Sequence, residues 1–425
     1  MSLKGRFKGI FKSDFNKNFL VLISGSIISQ GIPLLGSIVL VRFYSPEDFG
    51  VLAIFNAFCL ILTSIINLRY EFAIPIPKRH KDAINISFFA FLSSVSITIL
   101  LLILFVIFKD KILVILNAEA LGKWFIFIPL VALVSGIYNI LTNFSIRLKK
   151  FKTIAQSNVV RSLSNTISQI FFGILGLTKG GLLYGLFVSN IFGNIRLLRE
   201  FFNYRYLFKQ ISIKRMVFNA KKYKDFPIIS TWGILLNSIG VSMNNFFISG
   251  MYGVGQLGYY SYSYRYLNVP LSLISNNVSQ LFFQLCTECA KENRSARNEF
   301  LTTFKKLLYI SLPFFFVMFF FVEDLFAFLF GEEWRIAGSI ARAMLPLFFF
   351  RSIFVPLSTI TLAFEKQKLM FLLQFVIFVV NSMCFIIAHH FSMSLDAFLQ
   401  LYVVTTSVTY GAFTYVLYLV ALKKI

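Results

Sequence analysis

The sequence predicts an all-α integral membrane protein of twelve transmembrane helices, and three observations carry that expectation. First, 57% of its 425 residues are hydrophobic and the mean hydropathy is +0.75. Its apolar runs are too long and too many to bury inside water-facing domains. Second, twelve such runs can be laid out, over 19–41, 50–74, 84–108, 124–146, 155–177, 181–199, 226–250, 258–285, 307–329, 338–363, 369–390 and 397–421. Third, the joining segments alternate in charge. With the N-terminus cytoplasmic, thirty of the 41 Lys and Arg residues fall in inner segments, chiefly 1–18, 147–152, 196–224 and 286–306. Six fall in outer ones: Arg42, Lys109, Lys111, Lys123, Lys179 and Arg335. Asymmetry of this size orients a polytopic chain, here with both termini cytoplasmic. It also accounts for the net charge of +23 without nucleic acid as a partner, leaving attraction to anionic membrane lipid as a side effect.

At the start of the chain, the first apolar run is too long for a signal-peptide core and lacks a small-x-small site, so it reads as a retained span. The preceding 1–18 segment alternates cations with phenylalanines, as an interfacial amphipathic helix or a basic unstructured leader would. Spans one to six then form an N-terminal lobe (19–199), residues 200–225 a basic cytoplasmic linker, and 226–425 a C-terminal lobe of six more spans. Two stretches suggest that the lobes are repeats. Tyr44-Ser-Pro-Glu-Asp-Phe-Gly50 leads into the second span and Tyr252-Gly-Val-Gly-Gln-Leu-Gly258 into the eighth, both Tyr-x5-Gly and 208 residues apart. An offset of six spans keeps the orientation, so the repeats are parallel, with a central cavity between the lobes. Glu47 and Asp48, in the Ser-Pro turn, read as a cap on the second span.

Polar residues inside the spans carry the functional reading. A charge in hydrocarbon costs about 2.5–3.5 kcal/mol on insertion scales, so it faces a cavity or a partner. Arg351 lies near the middle of the tenth span. Arg342, nine residues earlier, is half a turn round an ideal helix and either faces the same cavity or snorkels to the outer interface; Pro346 between them can bend the helix. Arg161 heads a stripe with Asn165, Ser168 and Gln169 on the fifth span. Similar stripes are Ser26, Gln30 and Ser37 on the first, Asn56, Thr63 and Asn67 on the second, Asn237, Asn244 and Asn245 on the seventh, and Asn276, Gln280 and Gln284 on the eighth. A single stripe would read as interhelical hydrogen bonding. Five of them point to a wet, sugar-compatible lumen, with Arg265 at the outer end of the eighth span either closing it or anchoring at the interface. Glu71 reads as the one carboxylate within a span, and its spacing from Arg69 disfavours a pair on one helix face. A cavity with excess fixed cation suits an anion, and phosphate matches the forked donors of Arg. The substrate-binding candidates are therefore Arg69, Arg161, Arg265, Arg351, Gln30, Asn67, Asn165, Asn245, Asn276 and Gln280.

Nothing points to a catalytic or metal centre. Cys286 and Cys289 form a lone C-x-x-C without the second pair that zinc requires, and His389 and His390 sit at a span end. There is no Gly-x4-Gly-Lys-Ser/Thr loop for ATP.

Several ordered motifs carry a resemblance over nearly the whole chain. Arg42-Phe-Tyr-Ser-Pro-Glu-Asp-Phe-Gly50, Leu68-Arg-Tyr-Glu-Phe-Ala-Ile-Pro-Ile-Pro-Lys78 and Gly331-Glu-Glu-Trp-Arg-Ile-Ala-Gly338 resemble the polysaccharide-unit (O-antigen, Wzx-type) flippases. So do Tyr264-Arg-Tyr-Leu-Asn-Val-Pro-Leu-Ser-Leu-Ile274, Ser279-Gln-Leu-Phe-Phe283, Arg342-Ala-Met-Leu-Pro346 and Pro356-Leu-Ser358. That family belongs to the multidrug/oligosaccharidyl-lipid/polysaccharide exporter superfamily. The resemblance implies two six-helix lobes and movement of an undecaprenyl-diphosphate-linked oligosaccharide from the inner to the outer leaflet of a bacterial cytoplasmic membrane. Its implied partners include a glycan polymerase and a chain-length regulator of polysaccharide or lipopolysaccharide assembly. It implies no cofactor; a coupling cation, H+ or Na+, stays open, because no clear mid-membrane carboxylate is read here. A drug exporter of the same fold would favour an acidic cavity for cationic drugs. A glycan polymerase would need a sizeable outer loop, whereas the outer segments here are short.

Overall fold

The computed structural model describes residues 14–423; the side chains of 14–23, 229, 273, 274 and 276 lie outside the described set. The 1–18 segment therefore falls mostly outside it. The described residues are mostly helical, and there is no strand among them. Twelve long helices run in order: α1 (Asp14–Leu40), α2 (Pro46–Ile65), α3 (His80–Ile115), α4 (Ile128–Arg147), α5 (Phe151–Ile174), α6 (Thr178–Phe202), α7 (Thr231–Tyr252), α8 (Val254–Lys291), α9 (Arg297–Phe330), α10 (Arg335–Ser358), α11 (Gln367–His390) and α12 (Leu395–Ala421). Among the described residues, nine helices are long and apolar enough to cross a membrane. The other three are α1, whose shorter apolar stretch is Ser24–Leu40, α5 and α8. Helices α5 and α8 are dense in Asn, Gln and Arg, a composition suited to helices that face protein or water more than lipid.

Local chemistry sets the ends. Ser45 caps α2: its Oγ accepts from the Asp48 amide at 3.3 Å while an Asp48 carboxylate oxygen accepts from the Ser45 amide at 3.0 Å, a reciprocal box with Pro46 in the first turn. The expected capping role of Asp48 is thus what the structure shows. Ser394 caps α12 with its side chain alone, accepting from the Ala397 amide at 3.3 Å. Gly331, at φ 101°, turns the chain between α9 and α10, a conformation that favours glycine. Just beyond it Trp334 is buried, with its ring 4.4 Å from that of Tyr262. Helix α3 has 36 residues, about 54 Å at 1.5 Å per residue, and outruns a hydrocarbon core of roughly 30 Å.

The described residues fall into two compact units, one ending at Gly258 and the other starting at Tyr259. In the first, α5 packs on α1 and α6, α4 on α6 and α3, and α2 on α7. Close approach uses small residues: a Cβ on Gly36 would collide with the Thr166 side chain, and one on Gly185 with Gln169. A cluster of Tyr70, Ala73, Ile74, Ile84, Phe144 and Leu207 ties the turn after α2 to the start of α3 and to the linker. Asn85 fastens the linker, donating to the Gln210 carbonyl at 3.1 Å and accepting from the Ser212 amide at 2.9 Å. In the second unit α10 packs on α9 and α12, and α12 on α11. Its core includes Phe282, Cys286, Cys289, Phe300 and Leu357. Both thiols of the C-x-x-C are free and buried there.

Candidate anion-binding arginines

In the first unit, α5 carries Arg161 into contact with α4 and α6. Its Nη2 donates to Asn190 Oδ1 at 2.5 Å, and the guanidinium lies 4.9 Å from the centre of the Tyr138 ring. Asn190 is oriented by its own bond to the Leu186 carbonyl, 2.8 Å, and also accepts from Ser135 at 3.1 Å. Gly193 makes room, since a Cβ there would sit 3.1 Å from the Arg161 Cβ. Tyr138 in turn donates to Asn158. Every named partner of Arg161 is neutral.

In the second unit, Arg351 on α10 donates from Nη1 to the Tyr264 hydroxyl of α8 at 2.6 Å. It lies 5.8 Å and 5.9 Å from the ring centres of Tyr264 and Phe348. Tyr402 and Tyr410 of α12 are near enough to interact electrostatically. Among the described residues no carboxylate is paired with Arg161 or Arg351. Each is a guanidinium held at one edge by aromatic and amide groups, with its charge uncompensated, an arrangement that invites a mobile anion.

The other arginines differ. Arg69 does not lie in a spanning helix: α2 ends at Ile65, and Arg69 adopts a left-handed conformation (φ 61°) ahead of the 3-10 turn Tyr70–Ala73. Freed from helical geometry, its Nη1 lies 3.7 Å from a Glu71 carboxylate oxygen, and its guanidinium covers Phe72 at 4.0 Å. The pair that helical spacing disfavours therefore forms, because the segment is a turn. Glu71 lies in that turn and not within a long helix, and a different carboxylate does lie in one. Glu323, on α9 and inside the expected ninth span, pairs with Arg342 at 2.9 Å. Arg342 so has a fixed counter-charge, which neither of its two expected placements included. Arg265 is half-buried on α8.

Amide candidates mostly join helices. Asn67 donates to the Gly136 carbonyl of α4 at 2.9 Å, and Asn245 to the Ala53 carbonyl of α2 at 3.5 Å. Gln169 reaches the Leu182 carbonyl at 3.1 Å, and Ser162 the Ser29 carbonyl at 2.6 Å. Asn165 donates to Gln169 at 3.5 Å, while its Oδ1 is buried without a hydrogen-bond partner. Gln30 is half-buried, Gln280 is exposed, and the Asn276 side chain lies outside the described set. The sequence reading missed the neutral partners Asn190, Tyr138 and Tyr264. The Tyr-rich run Tyr259–Tyr266 was the available signal for the last.

A family model described as polysaccharide biosynthesis protein matches residues 39–339, well over half of the chain. The chain belongs to that family. A relative within reach of curated proteins is the teichuronic acid biosynthesis protein TuaB of Bacillus subtilis (strain 168), 25% identical over 158 residues. That match spans 36% of this chain and about a third of the relative's length. Solved structures define the fold. An inward-facing multidrug resistance MATE transporter of the MOP superfamily aligns with TM-score 0.67 at 14% identity, covering 94% of this chain and 98% of its own. The lipid II flippase MurJ, in an inward closed conformation, aligns with TM-score 0.67 at 15% identity over 95% of this chain and 87% of its own. An outward-facing MATE transporter gives 0.62 at 14% identity, with 98% and 97% covered. This family member thus has the transporter fold shared by MATE proteins and MurJ.

Proposed function

We propose that this chain is a flippase that moves a polyprenyl-diphosphate-linked oligosaccharide from the cytoplasmic to the outer leaflet of a bacterial cytoplasmic membrane. The observation that carries the reading is the pair of within-helix arginines, Arg161 and Arg351, held only by neutral groups in a protein of a polysaccharide-making family. A fixed guanidinium of that kind offers two parallel donors to a phosphate. In this reading Arg161 and Arg351, with Arg69 and Arg265 nearer the membrane faces, neutralise the diphosphate or an acidic glycan in turn. The amides at Gln30, Asn165, Asn276 and Gln280 meet the sugars. Twelve spans form two parallel six-helix lobes, 19–199 and 226–425, which alternate access around a central path while the prenyl chain stays in lipid. MATE proteins of this fold have been captured in both inward- and outward-facing forms, which supports alternating access.

The energetics do not demand a coupled ion. One charge moved through 100 mV is worth about 2.3 kcal/mol, so an inside-negative potential drives a diphosphate outward by roughly twice that. The glycan is either an O-antigen unit or another repeat unit; the relative named for teichuronic acid supports the wider class. Once outside, the unit passes to a polymerase and chain-length regulator.

The test is the fate of lipid-linked glycan in a native strain lacking the gene, beside a complemented control. Loss of surface polysaccharide with single diphosphate-linked units stalled in the inner leaflet is the expected result. Units that reach the outer leaflet and only fail to lengthen would replace the flippase with a polymerase.

A further inference from the structure

The two Tyr-x5-Gly stretches meet. A Cβ on Gly50 would overlap the carbonyl oxygen of Val254, and a Cβ on Gly258 would overlap the carbonyl oxygen of Pro46. Adding 208 to 50 and 46 gives 258 and 254, so the two contacts are one contact made reciprocally. Each glycine lies against the first residue of the other helix, and the first turns of α2 and α8 cross there with backbone on backbone. Only glycine permits an approach this close. From the crossing, a seam runs along α2 and α7: Phe58 meets Phe246 at 5.0 Å, and Ser242 donates to the Ala57 carbonyl at 3.3 Å. Beside the crossing is a cavity of about 600 Å³ lined in part by Ser45, Glu47, Asp48, Lys179, Val254 and Gly255. The crossing and the cavity sit at the Lys/Arg-poor end of α2, and the seam leads from there toward its middle.

We infer that the Gly50–Gly258 crossing is the outer gate of the transport path, closed in this structure, and that α2 and α8 part there to release cargo. The inference rests on the flippase reading and adds the place where the path closes. A contact built as two copies of one motif is suited to part evenly on both sides. Its surfaces are backbone and glycine, so nothing has to be pulled out of a pocket. The polar cavity alongside can admit water and sugar as the turns separate.

The test uses two cysteines in the full-length protein, with Cys59, Cys286, Cys289 and Cys384 changed to Ser. A Cβ on Gly255 would lie 3.5 Å from Glu47 Cγ, near the geometry of a disulfide. Oxidising the Glu47→Cys/Gly255→Cys variant should abolish export of lipid-linked glycan, and reduction should restore it. Undiminished export from fully cross-linked protein would overturn the gate. A second measurement needs no cargo. Ser242→Cys, buried in the seam, should react with a membrane-impermeant maleimide from outside several-fold faster when Gly258 or Gly50 is also changed to Ala. Unchanged labelling in both backgrounds would equally overturn it. A chain that carries some other cargo would still pass the labelling test, whereas a flippase gated elsewhere would fail it, so the two readings separate.

Discussion

Two arginines with the same side chain have opposite surroundings. Arg342 has a carboxylate at 2.9 Å, whereas Arg351 has a tyrosine hydroxyl at 2.6 Å and no counter-ion among the described residues. A charge-assisted hydrogen bond is worth about 1.5–3 kcal/mol, so Arg351→Ala should cut export on the order of tenfold to a hundredfold while the protein inserts normally. Arg351→Lys, which keeps charge but not the fork, should fall between. Export assayed beside membrane abundance decides it; normal export by inserted Arg351→Ala would remove it from cargo handling. Glu71 makes a different prediction. It is 1% exposed in the turn after α2, and burial pushes its carboxyl up to about 7 even though Arg69 pulls it down. Between the ordinary carboxylate range and pH 7 the folded protein keeps a proton that the unfolded chain has lost, so stability falls as pH rises through that window. The cost, on the order of 3 kcal/mol, levels off above pH 7. Thermal melts in detergent should therefore show a pH slope that Glu71→Gln flattens. That Arg161 and Arg351 lie within long helices was legible in the sequence, because arginine in an apolar run stands out; that Arg69 lies in a turn was not. Their partners were not, because a tyrosine or an asparagine on another helix carries no sign of which arginine it meets.

At the scale of elements, the motif Leu68–Lys78 is held by one side chain from elsewhere. Arg147, in the last turn of α4, donates to the carbonyls of Pro75 at 3.2 Å, Pro77 at 2.5 Å and Lys78 at 3.3 Å. Residues 75–79 lie outside any helix, so those carbonyls have no helical partners, and a planar guanidinium can gather several at once. Arg147→Ala should destabilise the protein by about 2–3 kcal/mol, and Arg147→Lys by less, read as melting temperature and as protease nicking within 75–79. The apolar runs located the helices well, since length and hydropathy suffice. Their ends were harder: α3 continues past its expected end at 108 to Ile115, because Lys109, Asp110 and Lys111 sit in its last turns. The polar stripes are the instructive case. Spacing found Asn67, Gln169 and Asn245, and their amides reach the carbonyls of neighbouring helices. Periodicity identifies the face a residue shares and is silent on whether water or backbone awaits it.

For the molecule as a whole, charge asymmetry is the one topological signal that needs no contacts. A cysteine at Ser392, between α11 and α12, should react with a membrane-impermeant maleimide in intact cells, and one at Lys214, in the linker, only after permeabilisation. The reverse pattern would invert the proposed orientation. Fold class was readable because a bilayer admits few architectures to an apolar chain. The two Tyr-x5-Gly stretches suggested a repeat, but that their glycines touch lies in no spacing rule, because the contact joins residues 208 positions apart.

That contact has a thermodynamic consequence. Glycine has no rotamers to freeze, and the Pro46 and Val254 carbonyls begin helices that stay hydrogen-bonded whether or not the turns touch. The backbone contact itself orders little on closing, so what opposes opening is mainly the buried seam beside it, Phe58 against Phe246 and Ser242 on the Ala57 carbonyl. A junction held by so small a seam can be tilted by modest loads, such as a bound diphosphate or the resting voltage across the bilayer.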